Sequence, residues 1–410
     1  MRLKNVQSGY AGVTIVLCGL VATTPALAQK SYDSGASDSE IRIGNTAPYS
    51  GPGSAYSTIA KVEDAYFKMV NDNGGVNGRK IRLISYDDAL IPPKTVEQVR
   101  KLVERDDVLL MFNTVGTASN LAVRNYLNAR RIPQLFAGSG SSKFGDPKNY
   151  PWTMGLNPSY RSEGRIYAQY ILQNIPNAKV AVLAQNDDFG TDYVKGLKEG
   201  LGAKAATMIV AEATYEPTDP TIDSQILKLK ASGADVFMDV TTPKFAAQSI
   251  KKLAEIGWKP TVLLDSISVS VGAVLKPAGL ENSQGILSAG YLMDPTDSSW
   301  KNGAAMKEWQ VFMGRYLPDG NRADWNNVYG YIAAEALIKV LGQCGDNLTR
   351  ANVMKQAASL NQVKLPLLLP GITVNTSSTN FHPLDQFQMM RFKGGAWEIF
   401  GPVLNAHTSG

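Results

Sequence analysis

The sequence predicts an α/β protein built from two doubly wound, parallel-sheet lobes. Three observations carry that expectation. Short apolar runs alternate with longer amphipathic stretches, the rhythm of strand and crossover helix. The whole alternation occurs twice along the chain, and 410 residues, 44% of them hydrophobic, suffice for two cores.

The first series opens with a strand over Ile41 to Thr46, a helix over Thr58 to Asn73 and a strand over Ile81 to Asp87. It continues with a helix over Lys94 to Arg105, a strand over Val108 to Phe112, a helix over Ala118 to Ala129 and a strand over Pro133 to Phe136. A helix over Ser159 to Asn174 leads into the second series. There strands are expected over Lys179 to Ala184, Met208 to Ala213, Val236 to Val240 and Thr261 to Leu264. The helices between them span Gly190 to Leu201, Ile222 to Ala231 and Phe245 to Ile256. From about Tyr291 the rhythm breaks into helices over Ala304 to Tyr316, Asn326 to Leu341 and Asn352 to Leu360, then short strands around Phe387 to Phe392 and Trp397 to Phe400. That tail completes both lobes.

Composition excludes several function classes. The 41 basic and 36 acidic residues give a net charge of +5, but no run of like charge marks a nucleic-acid-binding tail. The start of the chain reads as a secretory signal peptide, residues 1–28: Arg2 and Lys4 precede an apolar stretch from Val13 to Val21, and Ala26-Leu27-Ala28 forms a cleavage site before Gln29. Leu17 before Cys18 does not fit a lipid-attachment motif, and no later segment offers the roughly 18 uninterrupted apolar residues of a membrane span. Cleavage would leave Cys344 alone, without a disulfide partner. His382 and His407 stand in no metal-binding motif, so neither a metal, a cofactor nor a catalytic constellation is expected.

One loop stands out: FAGSGSS, Phe136 to Ser142, directly after a predicted strand. Gly138 and Gly140 begin a dinucleotide pattern, but its third glycine position holds Lys143; a phosphate loop and a nucleophile elbow fail on spacing as well. A glycine- and serine-rich loop at a strand end can aim N–H and O–H groups at an anion, or it can be a tight turn. In open α/β sheets that edge is where ligands bind.

Four segments in this order, IRIGNTAPYSGPGSAY, NDNGGVNGRKIRL, LNARRIPQLFAGSGSS and NDDFGTDYVKGLKEGL, resemble type I periplasmic substrate-binding proteins of the leucine/isoleucine/valine-binding family, which serve ABC importers. The similarity runs from Ser39 to Val403. It implies two lobes joined by a three-crossing hinge and closing on a ligand. The N-terminal lobe would comprise 39–157 with part of 290–383, and the C-terminal lobe 158–289 with part of 384–403. It also implies a periplasmic monomer, no enzymatic activity, no nucleic acid, and a permease of the inner membrane as partner.

The resemblance places a ligand carboxylate on Val115, Gly116, Thr117, Gly138, Ser139, Gly140 and Ser141, with Tyr56 packing beside it and Phe189 covering it. Read without it, Thr117 is a helix N-cap and Tyr56 or Phe189 a core ring. The second lobe departs from the amino-acid binders. Thr241 and Thr242 stand where they carry a tyrosine, and Ser266, beside Asp265, stands where a glutamate receives the ammonium. With Tyr160 and Tyr291 as further flat walls, the expected ligand is an aromatic carboxylate of benzoate type. The alternatives are a branched-chain or other aliphatic amino acid, with Asp265 turned inward, and a ligand sensor of the same fold.

Overall fold

A computed structural model describes residues 1–5, 7–9 and 30–405. The apolar segment and cleavage site expected of a signal peptide, and His407, lie outside the described residues.

After the two-residue strand β1 (Ser31–Tyr32), the first sheet begins with β2 (Glu40–Ala47) and is built by α1 (Ser57–Asp72), β3 (Lys80–Asp87), α2 (Pro92–Glu104), β4 (Leu110–Phe112), α3 (Thr117–Ala129), β5 (Gln134–Ala137) and β6 (Thr153–Gly155). Its order is β3-β2-β4-β5-β6, all parallel. Ile41 and Ile43 alternate inward on β2, and Ile59, Val62, Tyr66 and Phe67 form the stripe by which α1 covers it. Each such fully buried side chain stabilises the lobe by about 1.5–3 kcal/mol relative to exposure.

The second sheet follows the same plan: α4 (Tyr160–Asn174), β7 (Val180–Gln185), α5 (Asp188–Leu201), the one-turn α6 (Ala205–Met208), β8 (Ile209–Tyr215), α7 (Asp223–Ala231), β9 (Val236–Val240), α8 (Pro243–Glu255), β10 (Thr261–Leu264), the short α9 (Lys276–Ala278) and β11 (Leu287–Gly290). The chain then returns to the first lobe, where α10 (Ala304–Tyr316) and α11 (Trp325–Cys344) pack on α1. Strand β12 (Asn347–Leu348) pairs with β1, and α12 (Arg350–Ala357) packs on α11. A last crossing leads to the hairpin β13 (Gln386–Lys393) and β14 (Ala396–Asn405), which extends the second sheet.

The second sheet runs β8-β7-β9-β10-β11-β13-β14. Its first five strands repeat the order of the first sheet, but β13 lies antiparallel to β11 and to β14. The expected parallel sheet is therefore mixed at one edge, as a tight hairpin at its end requires. The pairs β1/β12, β6 and β11 are absent from the sequence reading because runs of two to four residues carry no detectable period. The shared strand order puts a switch point between β2 and β4 and another between β7 and β9, and ligands collect at the carboxyl ends of strands around such points.

Candidate functional site

The ends of those strands face each other across a cavity of about 250 Å³, far more than the ~10–15 Å³ of centre volume that one water needs. From the first lobe, Val115, Gly116 and Thr117 after β4 and Gly138 after β5 form one wall, with Tyr56 beside them. Opposite stand Phe189, Thr242 and the β7 end Gln185, Asn186 and Asp187. Asn157 and Tyr160 line it from the first crossing, and Trp325 and Tyr329 from α11.

The first wall is a donor surface. Gly116 precedes α3 at φ +102°, a backbone state that side chains resist, and a Cβ there would meet Leu90 at 2.5 Å. A glycine cap offers no side-chain oxygen, so the opening N–H groups of α3 receive no capping bond from it. Thr117, Ala118 and Ser119, which carry those groups, all line the cavity. A helix start of this kind attracts an anion.

The second wall is built differently. Asp187 caps α5, accepting from the Phe189 and Gly190 N–H groups at 2.9 and 3.3 Å, while Gln185 donates to its other oxygen at 2.8 Å. That helix start is already satisfied by its own acid. Burial pushes the Asp187 carboxyl above its ordinary range, against the hydrogen bonds that lower it. Among the described lining residues the charged groups are Asp187 and Glu216, with no lysine, arginine or histidine.

Rings form the sides. Tyr160 stacks on Tyr193 at 5.0 Å and meets Phe189 edge-on at 5.2 Å; Trp325 lies nearly parallel to Tyr329 at 6.5 Å. Tyr56 spans the gap between lobes, its hydroxyl 3.5 Å from the Ile267 carbonyl.

Of the residues singled out from sequence, Tyr56, Val115, Gly116, Thr117, Gly138, Tyr160, Phe189 and Thr242 come together around this cavity. The others stand behind it, each for a physical reason. Ser139 is hydrogen-bonded to Thr117, oxygen to oxygen 2.7 Å, and orients that hydroxyl. The Gly140 carbonyl accepts from the Tyr160 N–H at 2.9 Å, and a Cβ on Gly140 would meet the Pro158 carbonyl at 2.2 Å, so it seats the first crossing. Ser141 donates to Asp192 of α5 at 2.8 Å.

Asp265 does not turn inward. It accepts from the Thr241 N–H at 2.8 Å and caps its own turn through the Ile267 N–H at 3.1 Å. Ser266 gives its N–H and its hydroxyl to Glu163, at 2.8 and 2.6 Å. Tyr167 and Tyr193 donate to the same carboxyl at 2.6 and 2.7 Å, so Glu163 has no lone pair left for a ligand, and burial raises its pKa to about 7. Tyr291 is sealed behind Trp325, edge-on at 5.3 Å.

Sequence reasoning missed Asn157, Gln185, Asp187, Trp325 and Tyr329. The first lies in GLNPSY just before a proline and a helix cap, a usable sign of a crossing; Asp187 lies within NDDFG as an N-cap. Trp325 and Tyr329 belong to a helix buried nearly all round, which hides any functional face.

The periplasmic binding protein family matches residues 40–396. Among curated relatives, the chain is similar to Leu/Ile/Val-binding protein homolog 7 of Brucella suis, 23% identical over 325 residues, covering 74% of this chain and 78% of that one. Among solved structures, it superposes on a branched-chain amino acid ABC transporter protein from Thermus thermophilus with bound valine, at 16% identity and TM-score 0.80, covering 90% and 98% of the two chains. A fatty acid ABC transporter substrate-binding protein from Thermomonospora curvata gives 20% identity and TM-score 0.78, with 93% and 96% covered.

Proposed function

The chain belongs to the periplasmic binding protein family, and on that premise we propose that it captures a small carboxylate in the periplasm and delivers it, as a monomer, to the permease of an inner-membrane ABC importer. It is a binding protein, not an enzyme. The lobes, 39–157 with part of 290–383 and 158–289 with part of 384–403, close around the cavity by rotation at the three crossings.

The ligand is an aromatic acid of benzoate type. One observation carries this reading: the cavity pairs an uncapped helix start, at Thr117 to Ser119, with walls of Tyr56, Tyr160, Phe189, Trp325 and Tyr329. The helix start suits a carboxylate and the rings suit a flat apolar body. The ammonium of an amino acid would need an acceptor near that pole, and Glu163 and Asp265 are consumed by protein donors.

A second reading, an amino acid, is favoured by Asp187 and Glu216 on the opposite wall, which would face an ammonium reaching across the cavity. A thermal-shift screen of benzoates, aliphatic acids and branched-chain amino acids tests both, because a ligand at a hundredfold excess over Kd stabilises by about 2.7 kcal/mol. Shifts confined to amino acids would replace the first reading by the second. Impaired growth of a deletion strain on the ligand, with chemotaxis intact, separates transport from sensing.

A further inference from the structure

Asp187 stands between the end of β7 and the first turn of α5, partly buried and on the cavity wall. The protons around it are placed by elimination. A carboxylate only accepts, so Gln185 must turn its Nε2 to Asp187 Oδ2, at 2.8 Å, and its Oε1 to Tyr215. The Tyr215 hydroxyl then spends its single proton on that Oε1, at 3.1 Å, while its oxygen accepts from the Thr242 N–H at 2.9 Å. The Thr242 hydroxyl, 3.5 Å from the same oxygen, is left to donate. From Thr242 through Tyr215 and Gln185, every donor points toward Asp187, where the chain ends.

The other oxygen, Oδ1, accepts from the Phe189 and Gly190 N–H groups. A carboxylate offers about four acceptor positions, and the protein donors fill three of them. Among the described residues no cation pairs with this acid; Lys143 is taken by its neighbour Asp188, at 2.6 Å. Both side-chain oxygens accept, so what Asp187 presents to a ligand is an acceptor. Set against a bare ring edge it would lose water and gain no partner, and a site of that kind discriminates against ligands that lack the donor.

We infer that Asp187 selects the far end of the ligand, accepting a hydrogen bond from a hydroxyl carried on the ring opposite the carboxylate. The inference rests on the aromatic-acid reading and narrows it to hydroxylated acids of the 4-hydroxybenzoate kind. A phenol has a pKa of about 10, as in tyrosine, and a nearby negative charge raises it, so such a ligand arrives at neutral pH with the proton that Asp187 accepts. The same charge repels a carboxylate, which fixes the end of the molecule that goes to α3.

Calorimetry with benzoate, 4-fluorobenzoate and 4-hydroxybenzoate on the wild type and Asp187→Ser tests this. Serine still caps a helix start, but it is shorter and uncharged. The wild type is expected to bind 4-hydroxybenzoate about ten- to a hundredfold more tightly than the other two acids, the scale of one hydrogen bond to a charged group. In Asp187→Ser that ratio should fall toward one. A role as helix cap alone would weaken all three acids in proportion and leave the ratio in place. Equal wild-type affinity for the three acids, or a preference undiminished in Asp187→Ser, overturns the inference alone. Failure of the wild type to bind any of the three overturns the aromatic-acid reading, and this inference with it.

Discussion

Ser141 and Asp192 join the two lobes through a buried hydrogen bond of 2.8 Å. Ser142 adds its N–H at 2.8 Å and its hydroxyl at 2.9 Å to the same carboxylate, and Lys143 pairs with Asp188 one turn earlier on α5 at 2.6 Å. The glycine- and serine-rich loop therefore divides its labour. Gly138 faces the cavity, while the last serines grip the other lobe. Asp192→Ala should cost about 2–4 kcal/mol in urea unfolding, since three donors lose a charged acceptor. It should also enlarge the unliganded radius of gyration in small-angle scattering. An unchanged stability would mean that these bonds do not form in solution.

Gly140 predicts a backbone effect that reaches the cavity wall through Tyr160, whose ring a Cβ there would meet at 2.7 Å. Its missing Cβ leaves room for the Pro158 carbonyl, 2.2 Å from where that carbon would sit. Gly140→Ala must push the first crossing away, at about 1–3 kcal/mol by analogy with overpacked cores. Denaturant midpoints check the number.

Glu163 predicts a pH dependence. Burial, the largest influence, lifts its folded-state pKa from 4.5 to about 7 despite hydrogen bonds that lower it. Folding thus favours the protonated form: its contribution is complete below about 4.5 and is lost as pH rises through about 7, a decline of about 3 kcal/mol. Urea unfolding at pH 5 and pH 8 should show that loss in the wild type and a smaller one in Glu163→Gln. Asp265, raised by burial first and by the Glu163 charge next, shifts in the same direction and is relieved in that variant.

Thr117 predicts a loss confined to binding. Its hydroxyl lies on the cavity wall and is oriented by Ser139. Thr117→Ala together with Ser139→Ala should weaken binding of a carboxylate by about 1–3 kcal/mol, ten- to a hundredfold, through loss of donors to a charge. Equal affinity would make the loop a turn and nothing more.

What was legible in the sequence follows from what is local. Strand and helix periods placed most elements of both lobes, glycine and serine at a strand end pointed to Gly138, and the family resemblance pointed to Thr117. The rest depends on long-range placement. Nothing near Ser141 announces Asp192, fifty-one residues on. Nothing near Asn157 announces Tyr329, 172 residues on, because its helix is buried all round and shows no distinct face. Ser266 looked like an empty position until the fold brought Glu163 behind it. Tyr291 looked like a wall ring, but Trp325 stands in front of it.

The central claim, that the cavity takes an aromatic carboxylate, is tested most directly by isothermal titration of the purified protein with benzoate, 4-hydroxybenzoate and leucine at several temperatures. The account predicts one site per chain for the aromatic acids, with a negative heat-capacity change from burial of the ring, and much weaker binding of leucine. Tight binding of leucine with no heat from either aromatic acid would contradict it.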